Sequence, residues 1–417
     1  RIHRLHGIPT LGTDPACVSG LSGGSAGLSR IAIRASLFVV QVVRFFHEKR
    51  VITSSWGRVL VLGVAFLLVL VISWFFFLVA GIEPITAFQI IGEEIFLTKY
   101  GWQDLLVKMT PLMFTGLAVA LAAQMRQWNI GAEGQFHIGT VAMTWFVLHY
   151  DGKLPDGMLI VLMLIMAMIG GGFWGCIPGF LKARFGVNEI ITSLLFNYVA
   201  AAWVDHLLFG AWRDPGTNNF PITKEFSEAA QLPLFGNTSI HAGLILAFII
   251  VVIIAWVLWK TRLGFQIRLI GDNPDAARYA GVKIRTLTIL VFAVSGAIAG
   301  LAGFSEVAGI HYRLQQNISI GYGYTGIIVA WLARNHPLGV VLSAFFMSIV
   351  FVSAEVLQIE YGLPIYVVYL YQGIILFTVL GSEIFTEYRL RITRIWLKQR
   401  LTKTCLLYTS PSPRDRG

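Results

Sequence analysis

Residues Gly116–Gln135 read GLAVALAAQMRQWNIGAEGQ. A run of small and apolar residues ends at Ala123. Asn129, Gly131, Glu133, Gly134 and Gln135 then interrupt it before an apolar segment resumes. In hydrocarbon the backbone must satisfy its own hydrogen bonds, so the flanking apolar segments are expected to be helices. A carboxylate and two amides at such a break are functional candidates. Glu133 also stands at the start of the next helix, where the helix dipole favours negative charge. The glycines permit a tight turn and close backbone approach. Two readings stay open here: a helix cap with a tight turn, or a constriction in a path.

Outward from this stretch the chain keeps the same character. Hydrophobic residues make up 56% and charged residues 13% of 417 positions, against about 25% charged in a soluble domain. Mean hydropathy is +0.70. Apolar runs near the length that crosses ~30 Å of hydrocarbon recur, as in Val59–Ala80, Ala242–Trp259 and Leu287–Ala308. The fold class expected is an all-α, polytopic membrane protein with about eight to ten membrane helices. The net charge of +10 does not argue for nucleic acid, because the basic residues sit in short loops between apolar runs.

Basic loops orient the spans. Arg44, Lys49, Arg50 and Arg58 precede the first span, and Arg389, Arg391, Arg394, Lys398 and Arg400 follow the last. Both termini are therefore expected in the cytoplasm. The spans expected are 59–80, 107–127, 135–150, 157–181, 188–209, 242–259, 286–309 and 364–381. Residues 81–106 and 210–241 are expected outside, and Lys260–Arg285 inside. Parity then requires residues 324–353 to begin and end on the outer side. Gly326–Ala333 is too short to span at 1.5 Å per residue, and Arg334-Asn335-His336-Pro337 is a polar turn. A helical hairpin follows, descending by a short helix and rising again. Such a turn survives at depth only when buried in protein or lining an aqueous path. Gly116–Ala123 aligns weakly with Gly326–Ala333, and each is followed by a polar break, a glycine and another apolar helix. Matching interrupted helices in two halves point to a transport path. Its candidate residues are Asn129, Glu133, Gln135, Asn197, Arg334 and Asn335.

A second motif lies in the cytoplasmic loop, at Gly264–Gly281. Asn273 suits a helix cap, with Pro274 at the first helical position and Asp275 in the first turn. Gly281 is placed to end the helix. So short a helix is marginal in water and needs a partner. Its exposed position between two spans is the shape of a coupling helix docking into an ATPase, through Gly271, Asn273, Pro274, Asp275, Arg278, Tyr279 and Gly281.

At these segments the chain resembles a known family. NIGAEGQ (129–135), NEIITSLLFNY (188–198), WRDPG (212–216), GDNPDAARYAG (271–281) and GYGYTGIIVAWLARNHPLGVV (321–341) are similar to the permease of nucleoside and simple-sugar ABC importers. That family lies within the superfamily of ribose and branched-chain amino-acid permeases. The resemblance covers roughly residues 50–395. It implies a plasma-membrane permease working by alternating access. It implies a second permease subunit, identical or different, a cytoplasmic ABC ATPase and a substrate-binding protein as partners. ATP would be used by the partner, with no cofactor in this chain. The segment 271–281 would face the ATPase, and 129–135 would lie near the translocation path. His137 and His336 depart from the usual pattern.

Other function classes find little support. Leu21–Ser25 (LSGGS) resembles an ABC signature loop, but the chain has no GxxxxGK[ST] phosphate loop. A transporter driven by an ion gradient would need paired mid-span carboxylates, and few are offered. No HExxH or Ser/His/Asp arrangement suggests an enzyme. Cys17, Cys176 and Cys405 lack metal-ligand spacing. Glu306 and Glu355 are expected near outer helix ends, at the interface, and Tyr361, Tyr366, Tyr369 and Tyr371 in an aromatic belt or in helix packing. The domain boundaries expected are an N-terminal extension over 1–45, disordered or non-native, a transmembrane domain over 46–395, and a tail over 396–417. Within the tail, Cys405–Gly417 resembles the translation of a sequencing adapter.

Overall fold

The computed structural model of the chain describes residues 43–49, 55–218 and 220–394. The expected extension before residue 43 and the tail beyond residue 394 lie outside them. The chain divides into two units. One contains an antiparallel pair, β1 (Val43–Lys49) and β2 (Tyr388–Arg394). Its register sets Val43 opposite Arg394 and Lys49 opposite Tyr388. Residues 388–394, YRLRITR, alternate apolar and polar with the period of a strand.

The other unit, residues 51–387, is helical. Its elements are α1 (Ser55–Val79), α2 (Pro84–Gly92), α3 (Lys99–Ala123), α4 (Ala132–Tyr150), α5 (Asp156–Phe185), α6 (Glu189–Phe209) and α7 (Gly243–Lys260). They continue with α8 (Arg262–Asp272), α9 (Pro274–Tyr279), α10 (Ile284–Glu306), α11 (Tyr322–Leu332), α12 (Pro337–Tyr361) and α13 (Ile365–Glu387). Among the described residues, six helices are long and apolar enough to cross a membrane: α3, α5, α6, α7, α10 and α12. A seventh span is available if α1 and α2, bent by 120° to each other, act as one.

Several boundaries differ from expectation, and two of the departures have a visible cause. The span expected at 107–127 begins at Lys99 and ends at Ala123. Thr98 caps it, its hydroxyl accepting the Gly101 N–H at 2.9 Å. The helix carries Lys108 inward by pairing it with Glu355 of α12, 2.7 Å away. The loop expected at 260–285 forms an additional helix, α8, because Thr261 accepts the Gly264 N–H and starts a new turn.

Helix α3 forms the centre, with 89% of its apolar window buried, against α10, α11 and α12. Helix α5 crosses α10 through glycines. A Cβ on Gly296 would strike the backbone of Gly171 and Gly175, and one on Gly300 would strike that of Ala167. Small residues at such a crossing let helix backbones touch, the usual basis of packing in lipid. Helices α6 and α7 are peripheral and expose Ile191, Leu195, Ile249, Val252 and Trp256, a surface suited to hydrocarbon. Tyr371 is buried, with its hydroxyl 3.3 Å from that of Ser73, whereas Tyr366 is exposed. Just ahead of α7, burial pushes the pKa of His241 down to about 4, so its ring is neutral.

Candidate functional site: two broken helices and an exposed elbow

The first break joins α3 to α4. Asn129 is fully buried there. Its amide N–H donates to Gln135 Oε1 at 2.8 Å and to Ser295 Oγ of α10 at 2.7 Å. Its Oδ1 accepts from Gln135 Nε2 and from the Gly131 N–H, both at 3.0 Å. Ser295 in turn donates to the Ala118 carbonyl at 2.6 Å. The two donors and the carbonyl oxygen of Asn129 are all engaged. In this conformation the amide holds the break to α10 and has nothing left for a solute.

Asn197 of α6 pins the same break from the other side. Its Oδ1 accepts the Gly134 N–H at 2.8 Å. Its Nδ2 donates to the Ile130 carbonyl at 2.8 Å and reaches the Tyr324 hydroxyl at 3.4 Å. Glu133 faces α11, where its Oε2 accepts the Gly323 N–H at 2.7 Å. A carboxylate at a helix N-terminus meets the positive end of the dipole. Gly323 is required for that approach, since a Cβ there would strike the Glu133 backbone. His137 completes the cluster, with Nε2 3.6 Å from Glu133 Oε1.

The second break joins α11 to α12 as the short-helix hairpin the sequence implies. Arg334 and Asn335 both take positive φ, 52° and 57°. His336 caps α12, its Nδ1 accepting the Gly339 N–H at 3.4 Å. Gln124, at the end of α3, donates to the Asn335 carbonyl at 2.6 Å, and the Trp128 and Trp331 rings lie 5.0 Å apart. The two breaks are thus adjacent, and the aligned glycines pack against the opposite segments. Gly116 faces Val329, and Gly326 faces Thr115.

The elbow between α8 and α9 has the expected cap. Asn273 Oδ1 accepts the N–H groups of Asp275 at 3.0 Å and Ala276 at 3.1 Å. Gly281 follows with φ +75°. Ala277 is buried, while Tyr279 is 93% exposed. Arg278 lies 3.3 Å from Asp275, both side chains about three-quarters exposed (75% and 77%). A pair so wet contributes little, so these charges remain available to a partner. Gly271 sits against Gln124, where a Cβ would strike the Gln124 carbonyl. Sequence reasoning missed Ser295, Gln124 and Gly323. A serine or glycine inside an apolar run carries no sign of the residue it will meet more than 150 positions away.

The family model described as the permease component of branched-chain amino acid transport systems matches residues 102–380. The chain belongs to this family. The match runs from the first turn of α3 into α13, so both breaks and the elbow of this permease fall inside it. A glucose ABC transporter permease of Haloferax volcanii is 37% identical over 323 residues, 75% of this chain and 84% of the relative. A guanosine ABC transporter permease of Bacillus subtilis is 33% identical over 333 residues, 78% of this chain and 94% of the relative. A nucleoside ABC transporter permease of Lactococcus lactis is 34% identical over 284 residues, 64% of this chain and 76% of the relative. This permease is a multi-pass, helical membrane protein and a transporter component.

Proposed function

We propose that this permease forms the path of an ABC importer for a nucleoside or simple sugar, driven by a separate cytoplasmic ATPase. Relatives named for glucose, guanosine and nucleosides motivate the solute class. The observation that carries the mechanism is a continuous line of contacts. The exposed face of α9 leads through Gly271 to Gln124, and Gln124 holds Asn335 in the second break. Movement of α9 by an ATPase therefore acts on both polar breaks together. The Asn129–Gln135–Ser295 and Asn197 bonds hold the first break in one of its two arrangements, and alternating access exchanges them. ATP is bound and hydrolysed by the partner, and this chain carries no cofactor. A second permease, identical or different, and a substrate-binding protein complete the assembly in the plasma membrane. The α8–α9 elbow and both termini lie on the cytoplasmic side. Residues 51–387 hold the membrane domain, within the 46–395 expected from the sequence.

Arginine and tyrosine dominate many interfaces, where losing one costs about 2 kcal/mol or more. Arg278→Glu combined with Tyr279→Ala is expected to weaken ATPase retention by at least roughly 30-fold. Copurification of the ATPase from membranes checks this, with permease insertion measured in parallel. Unchanged retention would remove the elbow from the interface.

A further inference from the structure

A second polar cluster lies near the far end of α3. Lys108 stands 16 residues before Gln124, about 24 Å along the helix. A cavity of about 430 Å³ opens there, lined by Asp104, Lys108, Ser239, Glu306, His311 and Glu355 among others. Its volume lies within the ~300–1,000 Å³ of small-molecule sites. The segment 210–241 supplies part of the wall, so this is the external end in the orientation proposed above.

Glu306 is the group that needs explaining. Contrary to an interfacial position, it is 4% exposed. Its Oε1 has only long contacts, with the Tyr322 hydroxyl at 3.4 Å and His311 Nε2 at 3.5 Å. Its Oε2 is buried with no hydrogen-bond partner. Buried polar groups are almost always paired, and an exception points to a role. Glu355 is engaged by Lys108 at 2.7 Å. Asp104, exposed, adds a third carboxylate against that single lysine. The cavity therefore offers acceptors and negative charge. It attracts hydroxyl donors and repels phosphates. Among the described residues no group of three or more His, Cys, Asp or Glu is arranged to hold a metal ion, which disfavours a metal ion as occupant.

We propose that this cavity is an entry subsite that holds a neutral solute by a vicinal pair of hydroxyls on Glu306, aided by Asp104, and rejects phosphorylated forms. A carboxylate has acceptor sites for two O–H donors at once, and a turn of the Glu306 side chain toward the cavity is needed to present both, because Oε2 is buried in this conformation. The inference rests on the nucleoside or sugar reading for its solute class, but its test does not depend on uptake.

The probe is a cysteine at the exposed wall position, Ser239→Cys, in the assembled transporter, alkylated by a membrane-impermeant maleimide. The same transporter without that cysteine supplies the background. Saturating guanosine or glucose is expected to slow alkylation about tenfold, as for a group shielded more than 90% of the time. Guanosine 5′-monophosphate and 2′-deoxyguanosine at the same concentration should not. Glu306→Gln should abolish the protection, and Asp104→Asn, at an exposed position, should weaken it. Equal alkylation rates with and without the diol probes would overturn the subsite. Protection that survives both substitutions, or that the phosphate and deoxy probes share, would overturn the carboxylate readout. If wild-type transporter takes up neither probe, the solute class proposed above fails, while the alkylation rates still decide the cavity.

Discussion

Gly296→Leu is expected to eliminate folded permease from the membrane. A Cβ at Gly296 would meet the carbonyl oxygen and carbon of Gly171 and the Cα of Gly175. All three are backbone atoms of α5 and cannot rotate aside. The helices must separate, and separation also loosens Gly300 against Ala167. In lipid no hydrophobic force between helices compensates, because lipid tails solvate the exposed faces equally well. Overpacking a soluble core by a few methylenes costs about 1–3 kcal/mol, and forcing two backbones apart is expected to exceed that range. Size-exclusion profiles of the detergent-extracted complex check the result. Gly373→Leu in α13, where an added Cβ meets nothing within 4 Å, is the control and should leave the profile unchanged.

Asn129→Leu is expected to produce the next largest loss. The substitution keeps approximate size and removes both partners of the Gln135 amide, the acceptor of the Gly131 N–H and one partner of Ser295. Each buried group left unpaired costs about 1–3 kcal/mol, so a loss of roughly 3 kcal/mol or more is expected. Removing both amides should hurt less than the sum, since replacing both partners by apolar groups is far cheaper than orphaning one. The melting temperature of the extracted complex should fall most for Asn129→Leu and recover in part for Asn129→Leu with Gln135→Leu. Strict additivity would show that the two amides do not act as a unit.

Much of this architecture was legible because polar residues inside apolar runs are rare and conspicuous. The hairpin turn at Arg334–Pro337 and the break at Asn129–Gln135 could be located that way. The Asn273–Pro274 cap carried its own local chemistry and gave the elbow to within a residue. What stayed hidden was pairing at long range. Lys108 pairs with Glu355 of α12, a partner its own sequence neighbourhood does not reveal, and α3 begins eight residues earlier than expected, at the Thr98 cap. Glu306 looked interfacial because nothing in its neighbourhood in sequence reveals a cavity. The candidate path residues Asn129, Gln135 and Asn197 stood out as polar, but their saturation by Ser295, Gly134 and Ile130 belongs to the fold alone.

The most direct test of the central claim is solute uptake into proteoliposomes containing the permease, its ATPase and its binding protein. Radiolabelled guanosine and glucose are supplied outside the vesicles, with the ATPase sites and ATP facing the lumen. Uptake is expected to require ATP, to vanish with a hydrolysis-dead ATPase, and to be indifferent to ionophores. Uptake that persists without ATP hydrolysis and collapses when an ion gradient is dissipated would contradict the account.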